Sequence, residues 1–172
     1  GQKGSANLSL SLAFSTYINC EQKSEIDSCG ECSSCIKMDK LIHPDLNFVF
    51  PVAPTPKINK EVISDKFIES WRSSVIESPY LSIDDWFEIY GFENKQPNIS
   101  KDEVRNLIKK LTLKPFESNF KINILWLPEF LHLSTSNAML KVLEEPPGNT
   151  LFFLVTNNDQ KLISTIKSRV QN

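Results

Sequence analysis

A chain of 172 residues is long enough to bury one full core, or one core with a small appended module. Its 40% apolar and 23% charged content is that of an ordinary globular domain, and no run of about 18 apolar residues offers a membrane span. A formal net charge of -2 argues against a domain that coats nucleic acid unaided, because such domains carry a basic excess, but it leaves room for a member of a DNA-bound assembly.

The chain opens on Gly1-Gln2-Lys3-Gly4-Ser5-Ala6-Asn7-Leu8, which has the spacing of a phosphate-binding loop without its chemistry. A working loop ends in a glycine, a lysine for the β- and γ-phosphates, and a serine or threonine for magnesium. Here those positions are Ala6, Asn7 and Leu8, so both the fixed positive charge and the metal-binding hydroxyl are missing. A buried strand normally precedes such a loop and none precedes Gly1, so the expectation is a piece of a longer protein. From Leu8 to Ile18 the apolar positions suit a buried helix.

All four cysteines follow within a short span, Cys20, Cys29, Cys32 and Cys35, in the pattern C-x8-C-x2-C-x2-C. The two short intervals let backbone turns aim pairs of thiolates at one metal, and four soft ligands make a closed, structural site. Zinc is the first reading, with two disulfides or an iron-sulfur cluster as alternatives. The polar, turn-rich stretch from Glu21 to Ser34 suits a loop folded around metal. Cys35 to Leu41 reads as a short helix broken by His43-Pro44-Asp45, and Leu46 to Phe50 as a strand. His43 is expected to be a core or capping histidine, outside the metal set.

After the proline-rich exit Pro51 to Pro56, residues 57–96 carry Phe67, Trp71, Tyr80, Trp86, Phe87, Tyr90 and Phe92. Helical spacing among them predicts a helical insertion packed on the main core, with a tryptophan-rich partner surface as the sharper alternative. Ser100 and Glu103 have the spacing of a capping box for a helix whose buried stripe is Val104, Leu107, Ile108 and Leu111. Lys109, Lys110 and Lys114 near its end are expected to face solvent, not to form a DNA track. The run Lys121 to Leu127 predicts a central parallel strand buried on both faces, Ser134 to Leu143 a helix closed by Glu144-Glu145-Pro146-Pro147, and Leu151 to Thr156 a second buried strand. Glutamates at a helix C-terminus oppose its dipole, so one of Glu144 and Glu145 is expected to have a tertiary partner. Leu162 to Val170 reads as a last helix or turn. This alternation implies an α/β domain with a mostly parallel sheet and helices on both faces.

The Gly-rich loop, the four cysteines, His43-Pro44-Asp45, the stretch Asn137 to Pro147 and Ser168-Arg169, in this order, resemble the clamp-loader subunits of bacterial DNA polymerase III. These are AAA+ proteins, and the resemblance covers nearly the whole chain except residues 57–96. It implies a P-loop NTPase fold, a three-layer parallel sheet, with residues 1–172 forming one AAA+ domain. That domain would contain a zinc module at 20–35 and the aromatic insertion at 57–96, and would lack an N-terminal strand and the lid and collar that follow in the family. It also implies a cytoplasmic replication protein, with gamma/tau and delta subunits, the sliding clamp and primed DNA as partners.

Within the family, gamma/tau keeps a complete Lys-Thr loop and an Asp-Glu pair after the central strand. Here the pair is Pro128-Glu129, which removes the carboxylate expected to support magnesium. Two defects in independent motifs make the chain more similar to the delta-prime branch, whose members often lack ATPase activity. The resemblance then places Gly1, Gly4, Asn7, Glu129 and Thr156 around a degenerate nucleotide site, with Thr156 and Asn157 where the family has its polar sensor, and ATP binding is not expected to be secure. It makes Arg169 an arginine finger offered to ATP in a neighbouring subunit, where Ser168-Arg169-Val170 stands for the family's Ser-Arg-Cys. The rival readings are an active gamma/tau-like ATPase and a zinc-bearing nucleic-acid-binding module.

Overall fold

The computed structural model describes residues 5–171, apart from 79 and 93. Helix α1 (Ser5–Asn19) leads through the cysteine loop to α2 (Ser33–Asp39) and strand β1 (Leu46–Val49). Helices α3 (Ile68–Glu77) and α4 (Ile83–Tyr90) follow, then α5 (Lys101–Leu111), β2 (Lys121–Trp126), α6 (Leu133–Glu144), β3 (Thr150–Val155) and α7 (Ser164–Lys167). The strands form one parallel sheet in the order β1-β2-β3, with Phe48 opposite Ile124 and Ile124 opposite Phe153. Among the described residues no helix is long and apolar enough to cross a membrane.

The period-2 alternation of the strands sorts the interior into two layers. Leu46, Phe48, Ile122, Ile124 and Trp126 enter one apolar cluster with Leu8 of α1, Trp71 of α3 and Trp86 of α4. Val49 and Leu125 enter the other, with Val104, Leu107 and Leu111 of α5, Met139 of α6 and Ile166 of α7. The sheet is therefore the middle of three layers. All six residues of β2 are buried, as a central parallel strand requires. Strand β3 differs from expectation: Leu151 to Leu154 are only half-buried, because β3 lies at the edge of the described sheet.

The aromatic segment is core. Trp71 and Trp86 are fully buried. Trp71 stacks on Phe50 at 4.9 Å and 6°, and Trp86 meets the same ring edge-on at 5.3 Å. Fully burying one such side chain contributes about 1.5–3 kcal/mol, so the tryptophans are spent on folding and do not form a partner surface. The neck of the segment is stapled by a Val52–Asn98 backbone pair at 3.0 and 3.2 Å, and Trp86 Nε1 donates to Pro51 O at 3.0 Å. Asp45 O accepts from Ile122 of β2, so Phe48 O, an odd number of residues on, points to the outer edge of β1. There it accepts from Ser64 Oγ at 3.2 Å.

The capping box at α5 is only half made. Ser100 Oγ accepts from Glu103 N at 3.3 Å, but the Glu103 carboxylate turns inward to Ser64, accepting from its N at 2.5 Å and its Oγ at 2.7 Å. Two donors in a dry interior outcompete one backbone N–H at a solvated helix end. At the other end of α5, Lys121 is buried and its Nζ donates to Lys110 O in the last turn at 2.7 Å and to Leu113 O just beyond the helix.

Candidate functional site

The four cysteines converge. Cys20 follows the last turn of α1, and Gly30 takes φ +73, a left-handed turn that glycine adopts without cost, between Cys29 and Cys32. Cys32 then caps α2, its Sγ accepting from Cys35 N at 3.4 Å. Cys29 N donates to Cys20 Sγ and Cys32 N to Cys29 Sγ, both at 3.3 Å. All four Sγ atoms lie within 4.8 Å of one another, with Cys20–Cys29 at 3.6 Å and Cys29–Cys35 at 3.9 Å. A tetrahedral thiolate site with metal–sulfur bonds near 2.3 Å has sulfur–sulfur edges of about 3.8 Å, which these distances bracket. All four are free thiols, too far apart for disulfide bonds.

The electrostatics favour a cation there. Burial, then the neighbouring thiols of Cys32 and Cys20, push the Cys35 thiol up to about 12. Burial also opposes ionisation of Cys32, but backbone N–H groups of Cys35 and Glu21 outweigh it and bring that thiol down to about 6. Four thiolates so close together repel one another, and a bound metal ion compensates that charge. The donor set therefore fits a metal ion.

The module is fastened to the amino edge of the sheet. The Asn19 side chain donates to Phe120 O at 2.9 Å and accepts from Phe120 N at 3.3 Å, and Lys37 of α2 pairs with Glu117 at 2.7 Å. His43 is buried outside the metal set, as expected. Its Nδ1 accepts from Asp45 N at 3.1 Å, which places the proton on Nε2, 3.0 Å from Ser118 Oγ. Burial lowers its pKa, against the charges of Asp45 and Glu117 that raise it. Asp45 accepts from three successive backbone N–H groups, Phe116 at 2.6 Å and Glu117 and Ser118 at 2.9 Å.

Two of the residues expected at the nucleotide site, Gly1 and Gly4, lie outside the described residues. Asn7 is exposed on the first turns of α1, whereas Leu8 is fully buried in the core. Beyond the carboxyl end of β2 the backbone turns sharply at Leu127, φ +61, into the turn Pro128–Phe130. There Glu129 Oε1 accepts from Asn157 N at 3.2 Å, next to Thr156 at the carboxyl end of β3, while Glu129 Oε2 is buried without a hydrogen-bond partner. Thr156 Oγ1 accepts from Asn158 N at 3.0 Å. Glu129 and Thr156 thus both lie at the carboxyl edge, where parallel sheets bind ligands. The chemistry of a magnesium nucleotide is poorly matched: Asn7 carries no charge, Leu8 is core and Pro128 offers no carboxylate.

Arg169 is elsewhere. Its Nε pairs with Glu144, and Nη1 donates to Thr165 O at 2.8 Å and Ser168 Oγ at 3.3 Å. Helix α6 runs back from the carboxyl end of β2 to the start of β3, so Glu144, its last residue, sits at the opposite edge of the sheet from Glu129 and Thr156. The expected tertiary partner of the glutamate pair is this guanidinium. Sequence reasoning missed the three-amide cradle of Asp45 and the Lys121 cap, for which the only signals were a polar residue before one strand and a lysine opening another.

A profile of the family described as "DNA polymerase III, delta subunit" matches residues 1–172. The chain belongs to this family. Relatives named DNA polymerase III subunit delta' are similar to it: that of Yersinia pestis is 29% identical and that of Escherichia coli 27%, each over 168 residues. Both alignments cover 96% of this chain and 37% of the relative. The DNA polymerase III subunit tau of Bacillus subtilis is 27% identical over 171 residues, 99% of this chain and 23% of that one. This delta-family chain therefore spans well under half the length of the curated relatives it matches.

Proposed function

We propose that this chain is the AAA+ domain of a delta-prime-like subunit of a DNA polymerase III clamp loader, one that completes a neighbour's ATP site and hydrolyses no ATP itself. The observation that carries the reading is a division of residues between two edges of one sheet. At the carboxyl edge the nucleotide chemistry is degraded, with Leu8 turned into core and Pro128 in place of a carboxylate. At the amino edge Arg169 is held by Glu144 and Thr165, away from its own chain's nucleotide edge. Such an arginine can act only on phosphate bound by another subunit, where it is worth on the order of 10³-fold in turnover.

The partners in this reading are gamma/tau and delta subunits, and through them the sliding clamp and primed DNA, in the cytoplasm. Zinc is the metal of the four-cysteine site and its role is structural. Thiolates spaced at the edges of a single-ion tetrahedron are too close to surround a multi-iron core, and no position is left for a substrate.

The test is DNA- and clamp-stimulated ATP hydrolysis by a reconstituted loader containing the full-length parent, comparing wild type with Arg169→Ala. Turnover is expected to fall by two or more orders of magnitude with assembly intact. Unchanged turnover would make Arg169 a surface residue, and hydrolysis by the parent protein alone would favour the gamma/tau-like reading.

A further inference from the structure

Beside the loop that fastens the cysteine module, a cleft of ≈ 590 Å³ opens at the amino edge of the sheet between the start of β1 and the end of α5. Its rim carries two large apolar side chains that the fold leaves in solvent, Leu113 at 68% and Phe116 at 82% exposed. Single exposed apolar residues are commonplace, but these two border one concavity, with Pro44 and Lys114 beside them.

The rim is braced from beneath. Asp45 holds the backbone N–H groups of Phe116, Glu117 and Ser118, and Lys121 Nζ holds the carbonyls of Lys110 and Leu113. Buried charged groups are thus spent on fixing a surface loop whose apolar side chains face outward. That arrangement lowers the ordering cost of binding, since the loop is already in place.

Charge identifies the occupant. The acidic groups near the cleft are already engaged: Asp45 by three amides, Glu117 by Lys37 and Asp65 by Lys110 and Asn106. The exposed Lys114 lines the cleft and the exposed Lys109 stands outside the lining, four residues before Leu113; neither has a carboxylate partner among the described residues. In a chain of net charge -2 this is a locally cationic, apolar-rimmed cleft. The geometry points to a docking site for an acidic peptide segment of a partner protein, with one large apolar side chain seated between Leu113 and Phe116 and flanking carboxylates on Lys109 and Lys114. A nucleic-acid strand fits less well, because strand binding needs a track of phosphate contacts and successive stacking rings, and this cleft offers one free lysine in its lining, a second beside it, and one ring.

A random dodecapeptide library displayed on phage and selected on the zinc-loaded chain tests this. Enriched peptides are expected to place Asp or Glu around an aromatic residue or leucine. One enriched peptide, labelled and followed by fluorescence polarisation, should bind about tenfold or more weakly to Phe116→Ser and to the Lys109→Glu, Lys114→Glu double variant, with circular dichroism unchanged. Oligothymidylate should not compete. Basic or uncharged consensus sequences, binding indifferent to both variants, or displacement by oligothymidylate would overturn the proposal.

Discussion

Glu103→Gln replaces a buried carboxyl group by its neutral near-isostere, and the hydrogen-bond count states what should happen. The Ser64 hydroxyl has one proton and two acceptors within reach, Phe48 O at 3.2 Å and Glu103 Oε1 at 2.7 Å. An ionised Glu103 leaves one acceptor unsatisfied. A protonated one donates to Ser64 Oγ and frees the hydroxyl for Phe48 O. The electrostatics point the same way: burial, opposed by the Ser64 hydrogen bonds, raises the Glu103 pKa from 4.5 to about 7, with Asp65 adding to the rise and Lys110 opposing it.

A carboxyl group whose folded pKa lies above its unfolded one contributes stability that is fully present below 4.5 and is lost as pH rises to about 7. At 1.36 kcal/mol per pKa unit the loss is on the order of 3 kcal/mol. Glutamine avoids that loss but brings a second N–H without an acceptor, costing about 1–3 kcal/mol. The variant should therefore be more stable than wild type by about 1–2 kcal/mol at pH 8 and less stable by about 1 kcal/mol near pH 4.5. Urea unfolding followed by fluorescence of the buried Trp71, Trp86 and Trp126 reads both values, and comparing proteins at each pH cancels the acid lability of the cysteine site. A stability difference that stays constant within about 0.5 kcal/mol between the two pH values would refute the reasoning.

Three further expectations follow from the same contacts. Cys29→Ser or Cys32→Ser should unfold the segment around residues 20–35, because metal binding and local folding are coupled; elemental analysis finding no zinc in freshly purified, reduced wild type would sink the metal assignment. Lys121→Met should cost about 1–2 kcal/mol in thermal unfolding by removing the donor to Leu113 O, since Lys110 O keeps the backbone N–H of Leu113, and an unchanged Tm would mean water replaces the ammonium equally well. Asp45→Asn puts an amide donor among three amide donors, so hydrogen exchange at Phe116, Glu117 and Ser118 should accelerate by about tenfold or more; unchanged protection there would show that the loop holds itself.

Local pattern carried the elements well and their partners poorly. The apolar run from Lys121 identifies a central strand because only burial on both faces tolerates it, and the cysteine spacing identifies a metal knuckle because the turn geometry is local. The same kind of run at Leu151 to Leu154 overstates burial, since composition cannot say whether a strand has neighbours on both sides. Trp71 and Trp86 stayed ambiguous for a related reason: helical period reveals an apolar face but not what covers it. At Glu103 the capping signature was correct in spacing and half wrong in outcome, because the competing donor, Ser64, is 39 residues away. For Glu144 the unfavourable helix dipole announced that a counter-charge was needed, and only the fold supplied Arg169.

The way Ser64 and α3 lie along β1 bears on how the segment 57–96 can be treated. A stretch that interrupts an otherwise familiar motif order invites removal as an ornament grafted onto an older scaffold. Here it supplies two of the three tryptophans and screens the outward backbone of the edge strand, where Phe48 O would otherwise stand open. Excised, it would leave a bare parallel edge beside exposed Phe48 and Phe50, the kind of surface on which chains recruit one another into aggregates. The segment is therefore structural tissue of the domain, and a minimal version of this protein has to retain it.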